Sequence, residues 1–237
     1  MDILGLQKLT LLDFPGYVAA IVFLGGCNFR CPFCQNSSLV LAPETLPVIS
    51  HQEFSDFLRK RSGILEGVCV TGGEPTLHHD LPEFLASIKS AGYLVKLDTN
   101  GTNPDMLSLL LQQKLVDYVA MDIKAGQKNY ARVCGLEGHP GVPALLEKIT
   151  HSVDILKSSS IDYEFRTTVV KGLHTDDDFE AIRTWLSGCN HYYLQSFRDC
   201  PEILLRNHPF SSFSAEELHH FLEIIQKEIP QACLRGI

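Results

Sequence analysis

The sequence predicts an α/β fold, a partial open barrel of six β/α units resembling part of a TIM barrel. Six short apolar runs alternate with six helix-like stretches, and such alternation is typical of a parallel sheet covered by helices. The 237 residues, 45% of them hydrophobic, are enough for one full core. Six units are too few for the usual closed barrel of eight strands, so the barrel is expected to be open.

The six predicted strands are short and rich in Val, Ile, Tyr and Phe, as buried parallel strands are. They cover residues 18–24, 67–71, 94–98, 118–123, 163–170 and 192–196. Residues 232–235 predict a short additional edge strand.

The predicted helices lie between these strands and repeat apolar residues every three or four positions, as Phe54 and Leu58 do. They cover residues 52–61, 81–91, 104–113, 143–158, 177–186 and 215–227. Ser50 with Glu53 predicts a capping box, and Asn103 predicts a helix cap before a first-turn proline. Because no repeat, low-complexity tract or linker divides the chain, we expect a single domain over residues 1–237.

Composition narrows the classes of function. The formal net charge is −8 and the sequence pI is about 5.6, which argues against binding to DNA or RNA. No apolar run reaches the roughly 18 residues of a membrane span. Eight cysteines without a signal peptide favour a reducing, cytoplasmic compartment in which the thiols are free or bound to metal.

Three cysteines, Cys27, Cys31 and Cys34, follow the first predicted strand at the spacing C-x3-C-x2-C. Three thiolates can hold three irons of a four-iron cluster and leave the fourth iron open for chemistry. A structural zinc site stays open as an alternative, although zinc commonly uses paired C-x2-C units and the chain has only one such unit.

Polar segments also lie at or toward the carboxyl ends of the other five predicted strands, and the carboxyl ends of parallel barrel strands share one face. Each segment alone is consistent with ordinary turn chemistry or a local ion pair. These segments are the TGGEP run at 71–75, the DTNG run at 98–101, the DIK run at 122–124, the RTT run at 166–168 and the QSFR run at 195–198.

The residue types in these segments suit a ligand with an amine, a carboxylate and a sugar. Gly72 and Gly73 allow close approach of the backbone, and Glu74 can accept hydrogen bonds from an ammonium group. Lys124 and Arg166 suit a carboxylate. The carboxylates that can accept from a ribose hydroxyl or an amine are Asp98 and Asp122. S-adenosylmethionine (SAM) is a molecule of this kind.

The run CNFRCPFC at 27–34 and the run GGEP at 72–75 resemble the radical SAM superfamily, and more closely its activating enzymes of glycyl radical enzymes. Segments 97–101 and 121–124 resemble those that hold SAM in pyruvate formate-lyase activases, as does the stretch 166–178. Segments 6–16 and 193–198 are most similar to anaerobic ribonucleoside-triphosphate reductase activating proteins.

This resemblance implies a mechanism. Cys27, Cys31 and Cys34 would ligate a [4Fe-4S] cluster, with SAM on the fourth iron and one electron from a reduced flavodoxin or ferredoxin. Cleavage of SAM would give methionine and a 5′-deoxyadenosyl radical, which would abstract hydrogen from a glycine Cα of a partner enzyme. The first candidate for that partner is ribonucleotide reductase. The implied cofactor-binding residues are Phe33, Gln35, Gly72, Gly73, Glu74, Asp98, Asn100, Asp122, Lys124, Arg166 and Arg198.

Within that set, Phe33 and Gln35 would flank the adenine, and Gly73 and Glu74 would take the methionyl amine. Gln35 stands where many relatives have His. Segment 35–71 holds one cysteine, so no inserted ferredoxin domain is expected there.

Two alternatives stay open. One is a radical SAM enzyme acting on a small molecule or a peptide, and the other is a non-catalytic cysteine-ligated module binding zinc or carrying electrons. The partner, the electron donor, the oligomeric state and any role for Cys189 and Cys200 are left open by the sequence.

Overall fold

The computed structural model describes residues 1–237 as eight strands, eight helices and two short 3-10 turns. The strands are β1 (Ile3–Thr10), β2 (Ala19–Leu24), β3 (Gly67–Gly72), β4 (Leu94–Thr99), β5 (Tyr118–Asp122), β6 (Asp162–Val169), β7 (Tyr192–Ser196) and β8 (Cys233–Arg235). The helices are α1 (Ser37–Leu41), α2 (His51–Lys60), α3 (Leu81–Ser90), α4 (Pro104–Gln112), α5 (Tyr130–Val133), α6 (Val142–Ser158), α7 (Asp176–Trp185) and α8 (Ala215–Gln226).

Strands β1 to β4 pair in chain order, and so do strands β6 to β8. The pairs β2–β3, β3–β4, β6–β7 and β7–β8 are parallel. The six predicted strands are β2 to β7 and the predicted edge strand is β8, so the predicted open α/β fold is confirmed.

Strand β1 was not predicted. It pairs antiparallel with β2, and three of its eight residues, 7–9, are exposed. Its sequence lacks the continuous apolar run of a buried strand. Its strand structure depends instead on the pairing with β2. Helices α1 and α5 were not predicted either. They have five and four residues, too few to show apolar residues repeating every three or four positions.

The chain divides into two compact units. The first contains residues 1–28, 36–99 and 103–120, and the second contains residues 29–35, 100–102 and 121–237. Fully buried Val68 and Val95 belong to the core of the first unit, and fully buried Phe165 and Leu194 to that of the second. A single domain over the whole chain stays a prediction.

The predicted helix starts are confirmed. The Ser50 hydroxyl accepts from the Glu53 amide at 3.2 Å, and the Glu53 carboxylate accepts from the Ser50 amide at 2.8 Å, which completes the capping box. The Asn103 side chain caps α4 by accepting from the Met106 amide. None of the helices combines the length and the apolar character that crossing a membrane requires.

Candidate active site

In the first unit, the GGE segment after β3 docks on the backbone that follows β2. The Gly73 amide donates to the Leu24 carbonyl at 2.9 Å, and the Glu74 amide donates to the Gly26 carbonyl at 2.8 Å. Gly72 has a φ of +123°, and a Cβ on Gly73 would lie 1.8 Å from the Gly26 oxygen. Both positions therefore require glycine, because a side chain would separate this segment from the residue before the cysteine triplet.

Replacement of Gly73 by alanine tests this close approach. The added Cβ forces the GGE segment away from Gly26, and we expect SAM to bind at least tenfold more weakly, about 1.4 kcal/mol. Equilibrium dialysis of labelled SAM measures the change. The control is Gly92→Ala, which strains the backbone at a φ of +88° but whose Cβ meets nothing within 4 Å, so it reports any general loss of stability without the clash. Equal SAM binding by the Gly73 variant and the wild type would contradict the prediction.

Glu74 is held by two threonines that the sequence did not single out. Its side chain lies almost fully buried, and its Oε1 accepts from the Thr76 amide at 3.0 Å and the Thr99 hydroxyl at 2.7 Å. These bonds fix the orientation of the carboxylate before any ligand arrives. A rigid, desolvated carboxylate interacts more strongly with a cation than a solvated one does.

Asp98 lies beside a buried lysine in the same unit. Lys96, at 1% exposure, forms an ion pair with Asp98, and the Cys69 thiol donates to Asp98 Oδ1 at 3.7 Å. Cys69 is fully buried. Lys96 and Cys69 are two further residues that hold a predicted site carboxylate in place.

Asn100, in the second unit, shapes a turn. Its Oδ1 accepts from the Thr102 amide at 3.0 Å and the Thr102 hydroxyl at 2.7 Å. Between them, Gly101 has a φ of +75°, and a Cβ there would lie 2.1 Å from Met121 Cε. The buried Asn100 side chain therefore has a structural function, and its contact with SAM stays a prediction.

The last two cysteines of the triplet occupy one turn of the second unit, whereas Cys27 belongs to the first. The Cys34 amide donates to the Cys31 carbonyl at 3.0 Å. Residues after β7 hold this turn, because the Leu204 amide donates to the Cys34 carbonyl and the Leu205 amide to the Pro32 carbonyl, each at 2.9 Å. Cys31 is buried and Cys34 is half-buried.

Gln35, which was predicted near adenine, contacts the same loop after β7. The side-chain nitrogen Nε2 of Gln35 donates to the Arg198 carbonyl at 2.6 Å. This hydrogen bond holds the Gln35 side chain against the backbone after β7. Phe33 is buried and Arg198 is exposed. The structure thus brings Gln35 and Arg198 together through a backbone group of Arg198, a contact that sequence spacing does not reveal.

Asp122, Lys124 and Arg166 form one charged group in the second unit. The Asp122 carboxylate accepts from Lys124 Nζ and from Arg166 Nε, each at 2.9 Å. Burial alone would raise the pKa of Asp122, but the two cations outweigh it and hold that pKa well below its usual range. Burial would likewise lower the pKa of Lys124, but the Asp122 carboxylate and the Cys31 thiol raise it.

The same group lies close enough to a predicted cluster ligand to act on it. A hydrogen bond from the Cys134 thiol lowers the pKa of Cys31, and the charge of Lys124 lowers it further against the effect of burial. The thiolate is the form that binds iron. Within the second unit, one cysteine of the triplet therefore lies within the electrostatic influence of Lys124, a cation predicted to bind a carboxylate.

His174 fixes the backbone of this group and carries a pH prediction. Buried His174 donates from Nε2 to the Lys124 carbonyl at 2.7 Å and accepts at Nδ1 from the Val170 amide at 3.0 Å. Protonation of His174 would place a second proton on Nδ1, directly against the Val170 N–H, and would break this hydrogen bond. Burial lowers the pKa of His174, while Asp178 acts to raise it and Arg132 to lower it.

Because the pKa of His174 is lower in the folded chain than in the unfolded one, its contribution to stability is present above the unfolded pKa, about 6.5. That contribution is lost as the pH falls below this value toward the folded pKa. We expect the free energy of unfolding in urea to decrease between pH 7 and pH 5, and to decrease less in His174→Gln. The same pH slope in both proteins would refute this assignment.

Two residues that were not predicted from the sequence, Glu164 and Arg235, help to position Arg166. Arg235 on β8 donates twice to the buried Glu164 carboxylate, each bond 2.9 Å long, and Arg166 Nη1 lies 3.9 Å from Glu164 Oε1. Glu164 and Arg166 are two positions apart on β6, so they share a face. That spacing is the signal that could have identified Glu164, whereas nothing local points to Arg235.

The donor set fits a [4Fe-4S] cluster and SAM. The thiols of Cys27, Cys31 and Cys34 are not in disulfides, and Cys31 has the lowered pKa that iron ligation requires. Lys124 and Arg166 keep 19% and 13% of their side chains exposed. They are therefore accessible to a carboxylate while bonded to Asp122.

Comparison with known protein families gives a match over most of the chain. The family model of the Radical SAM superfamily matches residues 21–186. A protein of Methanocaldococcus jannaschii, provisionally named a glycyl-radical enzyme activating enzyme, is 31% identical over 98% of this chain and 95% of its own length. A 7-carboxy-7-deazaguanine synthase of Neisseria meningitidis is 34% identical over 46% of this chain and 45% of its own length.

Solved structures share the fold at low identity. The structure of Streptococcus suis SuiB bound to its precursor peptide SuiA has a TM-score of 0.69 and 11% identity, and it covers 91% of this chain. The structure of native anSMEcpe with bound AdoMet has a TM-score of 0.58 and 14% identity, covering 86% of this chain. The chain spans 48% and 58% of the length of these two proteins.

Proposed function

Because the chain belongs to the radical SAM superfamily, whose cofactors are a [4Fe-4S] cluster and SAM, we propose that it activates a glycyl radical enzyme. The proposed substrate is a glycine Cα of a partner protein, with anaerobic ribonucleoside-triphosphate reductase as the first candidate. The proposed electron donor is a reduced flavodoxin or ferredoxin, and the proposed compartment is the cytoplasm. Membership of this family does not fit the alternative of a non-catalytic zinc module.

One arrangement supports the site assignment: Lys124 and Arg166 both donate to Asp122 at 2.9 Å, and the positive charge of Lys124 acts to lower the pKa of the Cys31 thiol. A carboxylate bound by these cations therefore lies beside a cluster ligand. The likeness to the M. jannaschii protein over nearly all of both chains supports the finer activity.

The residues of this chain then have distinct functions. Cys27, Cys31 and Cys34 would hold the cluster, which when bound would supply the reductive cleavage of SAM to methionine and a 5′-deoxyadenosyl radical. Lys124 and Arg166 bind the methionyl carboxylate as cations, and Glu74, held rigid by Thr76 and Thr99, accepts from the ammonium. The other proposed contacts with SAM are those of Phe33, Gln35, Gly72, Gly73, Asp98, Asn100, Asp122 and Arg198.

Electron paramagnetic resonance tests the activity directly. The chain, reconstituted anaerobically with iron and sulfide, is incubated with SAM, reductant and a candidate glycyl radical enzyme. We expect a glycyl doublet, and we expect no doublet from a partner whose radical glycine is alanine. A partner labelled with deuterium at the glycine Cα should transfer the label into 5′-deoxyadenosine.

The same label distinguishes the alternative substrate class. The likeness to a 7-carboxy-7-deazaguanine synthase over 46% of this chain favours a small molecule as the second candidate. SAM cleavage with transfer of deuterium from a labelled small molecule or peptide, and no doublet from any glycyl radical enzyme, would overturn the activase proposal.

A further inference from the structure

Strands β6, β7 and β8 have a polar face that the proposed function uses only in part. Glu164, Arg166 and Thr168 lie two positions apart along β6, so their side chains point to the same side of the sheet. In the parallel register, Arg166 is opposite Tyr193 and Thr168 is opposite Gln195. Because residues opposite each other share a face, all five side chains belong to one face of the second unit.

Arg235 on β8 bears out this geometry. It is opposite Gln195 in the register, its guanidinium lies 3.6 Å from the centre of the Tyr193 ring, and it donates twice to Glu164. Tyr193 and Glu164 precede Gln195 and Thr168 on their strands. The Arg235 side chain is therefore held toward the amino ends of the strands.

Thr168 and Gln195 form the outermost row of this face, toward the carboxyl ends of β6 and β7. Both residues are half-buried, and neither side chain hydrogen-bonds another group of the chain. Their Cα atoms are about 4.8 Å apart, and the row lies about 7 Å from that of Arg166 and Tyr193. A hydroxyl and a carboxamide that are partly desolvated and have no partner in the chain can bind a polar ligand.

This row contains no charge, and the charged side chains nearest to it are paired with each other. Arg235 binds Glu164, and Arg166 binds Asp122 at 2.9 Å. A charged ligand at the row would lose hydration without gaining an opposite charge there. An uncharged polar ligand exchanges its hydrogen bonds to water for equivalent ones to the row. The polypeptide backbone, with one donor and one acceptor at each residue, is such a ligand.

We propose that Gln195 and Thr168 bind a main-chain peptide group of the glycine segment of the partner enzyme. The inference rests on the proposed activase function and identifies residues that hold its substrate. The Gln195 carboxamide both donates and accepts, so it can pair with the carbonyl and the N–H of a peptide group, and the Thr168 hydroxyl can donate or accept beside it. Glycine has no side chain, which allows its backbone to come close to such a row.

Three variants of the full chain, reconstituted anaerobically, test the proposal. Gln195→Met keeps the length of the side chain without the amide, and Thr168→Val keeps the branched shape without the hydroxyl. The matched control is Gln112→Met, which changes an exposed glutamine of α4. Deuterium transfer into 5′-deoxyadenosine is measured against the concentration of a partner labelled at the glycine Cα, and equilibrium dialysis measures SAM binding.

We expect Gln195→Met to raise the KM for the partner roughly five- to tenfold, and Thr168→Val roughly three- to fivefold. The kcat should stay unchanged, as it does when a mutation removes only uniform binding of the substrate. SAM should bind equally to all four proteins, and Gln112→Met should match the wild type throughout.

Synthetic peptides identify the group that Gln195 binds. Each peptide spans the radical glycine of the partner and has one backbone amide replaced by an ester, which removes an N–H. We expect one ester to weaken binding to the wild type and to have no further effect in Gln195→Met, as measured by fluorescence anisotropy of the labelled peptides. Such non-additivity distinguishes a direct contact from a structural role, which would leave every ester effect unchanged.

An unchanged KM in Gln195→Met would overturn the inference, because the side chain would then be merely solvated. Weaker SAM binding by that variant would also overturn it, because Gln195 would then bind SAM. Equal ester effects in both proteins, or no peptide binding by a wild type that acts on the whole partner, would overturn it and leave the activase function standing. A wild type that takes deuterium from no glycyl radical enzyme would overturn the proposed function itself, and this inference with it.

Discussion

Replacement of Cys31 by alanine is expected to abolish cluster assembly and SAM cleavage. Cys31 is the buried cysteine of the triplet, and it is the one on which Lys124 acts. Alanine would leave one iron without its protein ligand at a buried position. Changes to outer-shell partners alone cost 10–100-fold, so we expect losing a ligand to reduce turnover by more than about 100-fold.

The measurements are iron and sulfide content, absorbance near 400 nm, and the amount of 5′-deoxyadenosine formed under reducing conditions. The matched control is Cys233→Ala, which removes an exposed thiol and should leave all three unchanged. Cys27→Ala and Cys34→Ala should behave as Cys31→Ala does. A Cys31→Ala protein with a full cluster and wild-type turnover would refute the ligand assignment.

The strands β2 to β7 could be predicted because the apolar composition of each segment indicates that it is buried. Runs such as 67–71 are continuously apolar, and continuous apolar runs between turn residues have few other structures open to them. β1 could not be predicted in this way, because three of its residues face solvent and its pairing with β2 decides its structure. Local patterns do not contain information about such partners.

The same distinction applies to the site. Glycines 72 and 73 were predictable, since only glycine permits the close approach seen at Gly26. Nothing in the local sequence links Cys134 to the triplet, yet its carbonyl accepts from the Arg30 amide, about 100 positions away along the chain. Residues that hold the predicted ligands in place come from distant segments, so they become visible only when the chain is folded.

Arg235 is one such distant residue, and replacing it is expected to lower the stability of the fold considerably. It forms a bidentate pair with Glu164, whose side chain is 1% exposed, while Arg235 keeps 33% of its own side chain exposed. The Arg235 guanidinium also lies 3.6 Å from the centre of the Tyr193 ring. Removing one partner of a buried pair leaves a desolvated charge, which is far more costly than removing both partners.

Arg235→Met is therefore expected to lower the free energy of unfolding by about 3 kcal/mol and to weaken SAM binding through Arg166, which also faces Glu164. The double variant Glu164→Gln, Arg235→Met should recover a large part of the stability, because no carboxylate is then buried without its bidentate partner. Arg59→Met removes an arginine from the exposed pair with Asp56 and should cost less than about 1 kcal/mol. Urea unfolding of the wild type, Glu164→Gln, Arg235→Met and the double variant measures the coupling, and strict additivity of the Glu164 and Arg235 changes would show that the pair does not stabilise the fold as argued.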